Sequence, residues 1–226
     1  ATCSDTGNYR SCETTFVGAD YRDDKGNFAD GTPQKELTYP VSIWLPKGAG
    51  PHPTMIFGHG IGGDRSQGAS FASFMTSLGI AVVGIDSVTH GEHPAGGYAQ
   101  PLNIAFFFGI NLGTGAIQGR VMRENWRQAA YDKLQLVHTM VDQPDIDGDG
   151  KADIDVDRIS YMGVSLGGIM GAEFMALTDH IGAGVLDVCG GRLSQILTDS
   201  GQFGGFINTF VPAGTPQGDI DRFFLV

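Results

Sequence analysis

The chain has 226 residues, 41% of them hydrophobic and 10% aromatic, with a formal charge of −11 from 25 acidic and 14 basic residues. That length supports one substantial core, and a single domain over residues 1–226 is expected. The negative field works against nucleic acid and anionic membranes as partners, and the sequence contains no apolar run of about 18 residues to act as a transmembrane segment. In chain order, Cys3 and Cys12 bracket a short polar loop and are expected to close a small disulfide ring. Such a ring fits a secreted protein, extracellular or periplasmic, and leaves Cys189 over. Thr14 to Ala19 is the expected hairpin neighbour of the alternating strand Leu37 to Leu45, whose Pro40 points to a sheet edge. Continuous apolar runs at Met55 to Phe57, Ile80 to Ile85, Ile159 to Gly163 and Ala183 to Val188 predict strands covered on both faces. Helices are expected between them. The clearest runs from Arg120 to Val141, where Met122, Trp126, Ala129, Leu134, Val137 and Val141 recur on one face, and another from Leu166 to about Leu177. This alternation predicts an α/β architecture: a mostly parallel sheet with helices on both faces.

The chemistry concentrates at Gly163-Val164-Ser165-Leu166-Gly167, a GxSxG sequence between a predicted strand and a predicted helix. A sharp turn there lifts the Ser165 hydroxyl above the sheet, and the flanking glycines remove Cβ atoms that would clash. Earlier, Gly58-His59-Gly60-Ile61-Gly62-Gly63 follows a strand and leaves backbone amides free. In this strand-turn-helix context an oxyanion hole combines the amide after the serine, Leu166, with one from the earlier loop. Ile61 is the expected second donor, ahead of Gly62. His59 precedes that loop and is expected to hold it rather than to act as base.

Together with Gly84-Ile85-Asp86, His90-Gly91 and the helix bearing Arg123-Glu124-Asn125-Trp126-Arg127-Gln128, these motifs resemble bacterial extracellular lipases and esterases of the α/β-hydrolase superfamily. The resemblance runs from about Val41 to Gly191. It implies an eight-stranded, mostly parallel sheet, a Ser-Asp-His triad and no cofactor for the chemistry. It also implies that acid and histidine follow the serine in the chain. Here the sequence departs from the family. The only later histidine, His180, falls at the wrong end of the sheet, so the catalytic histidine is expected outside this chain. Asp187 is the acid candidate, with Asp199, Asp219 and Asp221 weaker. Asp221 to Val226 reads as an element cut short, so a second polypeptide carrying the C-terminal part of the fold is expected as partner.

Asp145, Asp147, Asp149, Lys151 and Asp153, with Gly150 at the sixth position, match the first half of an EF-hand-like loop, although Val156 stands where the bidentate glutamate belongs. A structural calcium is the expectation, against a solvated acidic turn. Residues 94–119 and 192–226 are expected lid or pocket segments, with Phe106, Phe107, Phe108 and Phe206 as substrate-binding candidates. The expected activity is hydrolysis of carboxylic esters, lipids or polyesters among them, through an acyl-enzyme on Ser165. A peptidase or acyltransferase of the same fold, or a non-catalytic binding module, are the alternatives.

Overall fold

The computed structural model describes residues 1–28, 31–201 and 204–224, apart from the side chains of residues 206, 207 and 224. Nine strands, β1 (Thr2–Asp5), β2 (Arg10–Asp20), β3 (Lys35–Leu45), β4 (His52–Gly58), β5 (Ala81–Ile85), β6 (Ile110–Asn111), β7 (Ala116–Ile117), β8 (Ile154–Val164) and β9 (Ile181–Asp187), are found among them. Seven form one sheet in the order β1-β2-β3-β5-β4-β8-β9, and β6 and β7 make a small hairpin apart from it. Pairing is antiparallel from β1 to β5 and parallel from β5 through β4 and β8 to β9. The sheet is therefore mixed, with its parallel half beneath the predicted chemistry.

Among the described residues seven α-helices connect or cover the strands: α1 (Ala69–Ser77), α2 (Leu102–Phe107), α3 (Gly119–Asp142), α4 (Leu166–Ala176), α5 (Leu193–Asp199), α6 (Gly204–Asn208) and α7 (Gln217–Phe224). Alternation along the central strands decides which helix covers which face. Ile43, Ile56, Val83 and Tyr161 join Leu136, Val137 and Met140 of α3 and Phe174 of α4 in one core. Their neighbours Trp44, Met55, Phe57 and Val82 turn the other way, onto Ala72 of α1. Each such fully buried side chain contributes roughly 1.5–3 kcal/mol.

Pro40 does not mark an edge. β3 lies between β2 and β5, but its pairing with β5 covers only Val41 to Trp44. The proline therefore stands one residue outside that ladder and removes no hydrogen bond from it. The hairpin of β2 with β3 forms with Thr14 opposite Val41, and Cys3 and Cys12 are disulfide-bonded across β1 and β2. Asp221 begins no new element; it lies inside α7, and Leu225 and Val226 fall outside the described residues.

β9 forms the far edge of the sheet. It pairs with β8 on one side, and most of its residues are exposed, including Val185 at 57%; Val188, just beyond it, is 73% exposed. A parallel apolar strand is ordinarily covered on both faces and paired on both sides.

Candidate functional site

Ser165 sits between β8 and α4 with φ 54° and ψ −113°, a conformation costly for any residue with a Cβ. The packing around the turn enforces it. A Cβ on Gly163 would run into the backbone of Gly167 and Gly168, and one on Gly167 into the backbone of Gly58. Those contacts give the spacing of GxSxG its physical meaning. Three hydrogen bonds fix the turn: Ser165 N–H donates to the Asp187 carbonyl (2.9 Å), Gly167 N–H to the His59 carbonyl (3.1 Å), and the buried Tyr161 hydroxyl to the Gly167 carbonyl (2.7 Å).

The loop after β4 crosses above Ser165. A Cβ on Gly60 would lie 3.7 Å from that of Ser165, and Gly63 N–H closes a turn onto the Gly60 carbonyl at 3.0 Å. This turn leaves the intervening Ile61 and Gly62 amides outside its own hydrogen bond. Among the described residues, neither Ile61 N–H nor Leu166 N–H donates a hydrogen bond. A half-buried hydroxyl thus stands beside two unpaired amides, one at the start of a helix, and such an arrangement favours negative charge on an oxygen placed between them.

Buried polar groups hold the loop. His59 Nε2 accepts from Ser87 N–H (2.9 Å), so the ring proton is on Nδ1 and donates to the Gly60 carbonyl (2.9 Å). Burial pushes His59 down to about 4, so the ring is neutral near pH 7 and has both nitrogens engaged. That excludes it as a general base. Behind it, Asp86, 2% exposed, accepts from Arg65 N–H (2.7 Å), Arg65 Nη1 (2.6 Å) and Glu92 N–H (2.9 Å). Gly91, at φ 52°, must be glycine because a Cβ would strike the Asp86 carboxylate. The role of Arg65 was invisible in sequence, since its partners lie 21 and more residues away.

On the other side of Ser165, the exposed carboxylate of Asp187 makes no hydrogen bond or ion pair among the described residues. The other histidines are committed elsewhere. His93 bonds Asp132 at 3.0 Å, His90 Nδ1 bonds the Val88 carbonyl, His138 and His180 stack edge-on, and His52 lies at the start of β4.

A cavity of roughly 30 Å³ opens beside Ser165, lined by Ile61, Phe108, Trp126, Leu166, Leu193 and Leu197 among others. Of the three consecutive phenylalanines only Phe108 reaches it. Phe107 is fully buried against His90 and Trp126, and Phe106 packs edge-on against Tyr98. The side chain of Phe206 lies outside the described residues. Sequence reading missed Leu193 and Leu197 because α5 is too short to show a helical period.

In the acidic loop, carboxylate oxygens of Asp145, Asp147 and Asp149 approach within 4.8 Å of one another. Asp153 does not join them; it pairs with Arg10 at 2.9 Å and accepts from the Ile146 and Asp147 amides. Lys151 has its ammonium 3.6 Å from Asp149, so only its carbonyl remains as a ligand. Arg10 also pairs with Asp147 and supplies positive charge to the loop. Hard oxygens at three convergent carboxylates fit a calcium ion, with Arg10 as its competitor.

Among the described residues no helix is long and apolar enough to cross a membrane. No protein-family model matches the chain. A curated relative from Bacillus subtilis (strain 168), "Putative hydrolase YtaP", is 29% identical over 156 residues, which is 63% of this chain and 45% of that protein. Among solved structures, acetyl xylan esterase 1 from Thermoanaerobacterium sp. JW/SL YS485 superposes with a TM-score of 0.62 at 17% identity, covering 98% of this chain and 63% of its own. A "putative acetyl xylan esterase" of Bacteroides fragilis NCTC 9343 gives 0.53 at 17% identity over 81% and 45%. The chain thus spans about half to two-thirds of the length of these proteins, and its fold is that of the α/β-hydrolases.

Proposed function

We propose, taking the α/β-hydrolase fold as premise, that the chain carries the nucleophile and oxyanion hole of a secreted serine hydrolase acting on carboxylic esters. The supporting observation is the Ser165 hydroxyl on its strained turn between two amides without partners. Ser165 Oγ attacks the acyl carbon, and the carbonyl oxygen takes the negative charge between Ile61 N–H and Leu166 N–H. The serine proton passes to a histidine and from it to the departing alkoxide, which leaves as the alcohol. Water then attacks the acyl-enzyme and gives its proton to the same histidine, which passes it to Ser165 Oγ as the acyl–oxygen bond breaks and the acid is released.

That histidine belongs, in this proposal, to a segment that pairs along β9, either a separate polypeptide or a further part of the protein. The exposed apolar side chains of that edge, and the unpartnered Asp187 carboxylate at its end, support the placement. Asp187 is the acid candidate for orienting the histidine. The Cys3–Cys12 disulfide supports an oxidising compartment. A calcium held by Asp145, Asp147 and Asp149 would brace the loop leading into β8, away from the chemistry; calcium titration with thermal unfolding is expected to raise Tm, and an unchanged Tm counts against it.

The test is labelling of the protein, as purified from its source, by a fluorophosphonate probe. Ser165→Ala is expected to abolish labelling and to lower ester hydrolysis by a factor on the order of 10³ or more. A folded protein that is never labelled and cleaves no ester overturns the proposal. A panel of chromogenic esters, amides and acyl acceptors separates an esterase from a peptidase or acyltransferase of the same fold.

A further inference from the structure

We infer that Gln100 is a positioning residue of the oxyanion hole, holding the Ile61 amide in place through a relay of two peptide groups. The inference rests on Ser165 as the nucleophile and Ile61 N–H as a donor, and it adds a residue from outside the loop to that reading. Gln100 Nε2 donates to the Gly62 carbonyl at 2.8 Å. A carbonyl accepts only from a donor, which fixes the carboxamide with its NH₂ toward the loop. The Gly62–Gly63 peptide that carries this carbonyl also carries Gly63 N–H, which donates to the Gly60 carbonyl at 3.0 Å. The Gly60 carbonyl belongs in turn to the Gly60–Ile61 peptide, whose N–H is the proposed donor to the oxyanion. In a planar trans peptide the N–H and the carbonyl lie on opposite sides, so each group is gripped at one end and presents the other.

The loop needs a grip from outside. Three of the four residues 60–63 are glycine, and Gly62 stands at φ 75°, so a peptide plane can swing here at small cost. The Gly60–Ile61 plane has two donors on its carbonyl, Gly63 N–H and His59 Nδ1–H at 2.9 Å. The Gly62–Gly63 plane has, among the described residues, Gln100 alone. The contact is close, since a Cβ on Gly62 would strike the Gln100 carboxamide. From the other side Gln67 Oε1 accepts from Gly60 N–H at 3.3 Å. Gln100 can hold the loop because its own backbone is anchored. The Ala99 carbonyl accepts from Leu102 N–H (3.0 Å) and Asn103 N–H (3.2 Å) at the start of α2, and Tyr98 N–H donates to the Thr89 carbonyl (3.0 Å). Hydrogen bonds in a chain also polarise one another, so a donor on the Gly62 carbonyl strengthens Ile61 N–H as a donor. That gain is realised when charge develops on the substrate oxygen, and it therefore favours the transition state over the bound ester.

The experiment measures kcat and KM for p-nitrophenyl acetate, and the inhibition constant of phenylboronic acid, with the protein as produced by its source and the variants Gln100→Met and Gln100→Ala. Methionine keeps the length of the side chain and removes the donor. Both variants are expected to lose kcat about tenfold with KM changed by less than about twofold, short of the ~10²- to 10³-fold loss that follows removal of a donor itself. The boronate, a mimic of the tetrahedral anion on the serine, is expected to bind about tenfold more weakly. A merely structural glutamine would lower Tm and leave kcat and boronate affinity of the folded protein unchanged. Full kcat in either folded variant, or a loss confined to KM, overturns the positioning role, as does failure of both variants to fold, read from thermal melts. Absence of both fluorophosphonate labelling and ester cleavage in the unsubstituted protein overturns the reading of Ser165 together with it.

Discussion

The two flanks of Ser165 are built on opposite plans. On the oxyanion side, residues 58 to 65 are fastened by a neutral buried histidine, a buried carboxylate with three donors and an arginine that bonds it twice. On the β9 side, Asp187 contributes a backbone carbonyl to the Ser165 amide while its carboxylate faces solvent. On the proposed reading, the difference separates the part of the chemistry carried by these residues from the part that is not. Charge stabilisation needs donors fixed before the reaction begins, so its supports must be folded in. In the proposed reaction proton transfer falls to a histidine outside these residues, and the open flank is where it would dock.

Matched substitutions break or sharpen this contrast. Asp86→Ala has the largest expected effect, about 3–5 kcal/mol of lost stability, because it leaves Arg65 Nη1 and the Arg65 and Glu92 backbone amides without their buried acceptor. Urea unfolding measures it, and a loss below about 1 kcal/mol would mean that the oxyanion side is not locked by this carboxylate. Next comes acid. His59 is held at about 4, below its ordinary 6.5, and burial also pushes His90 down. The folded state therefore binds fewer protons than the unfolded one between those values. Stability is full above about pH 6.5 and falls as pH drops toward 4, by on the order of 3 kcal/mol from His59 alone. Unfolding free energies at pH 7.5, 5.5 and 4.5 check the sign, and a flat profile contradicts it. The smallest effect is expected for Asp187→Ala, within about 0.5 kcal/mol in stability since nothing folded depends on its carboxylate. A large destabilisation there would erase the contrast.

How much of this was legible in the sequence follows from the range of the interactions. The elbow was legible because Gly163 answers to the backbone of Gly167 and Gly168, within three residues of Ser165, and a local steric demand leaves a fixed spacing; the demand on Gly167 comes from the distant Gly58. The Thr14–Ala19 pairing with β3 was legible from alternation. Pro40 misled because an edge and the unpaired stretch of an interior strand both lack a partner on one side, and sequence does not separate them. The acidic loop misled at Asp153, whose partner Arg10 lies 143 residues away. The cavity walls were hardest, since Phe108, Trp126 and Leu197 come from three helices and meet only once the chain is folded.

The hydrogen bond from Ser165 N–H to the Asp187 carbonyl joins the two flanks. β9 twists with whatever lies alongside it, and any shift of its last carbonyl is passed by one bond to a backbone already bent against its preference. A segment that paired along that border, as proposed, would in this way act on the aim of the hydroxyl.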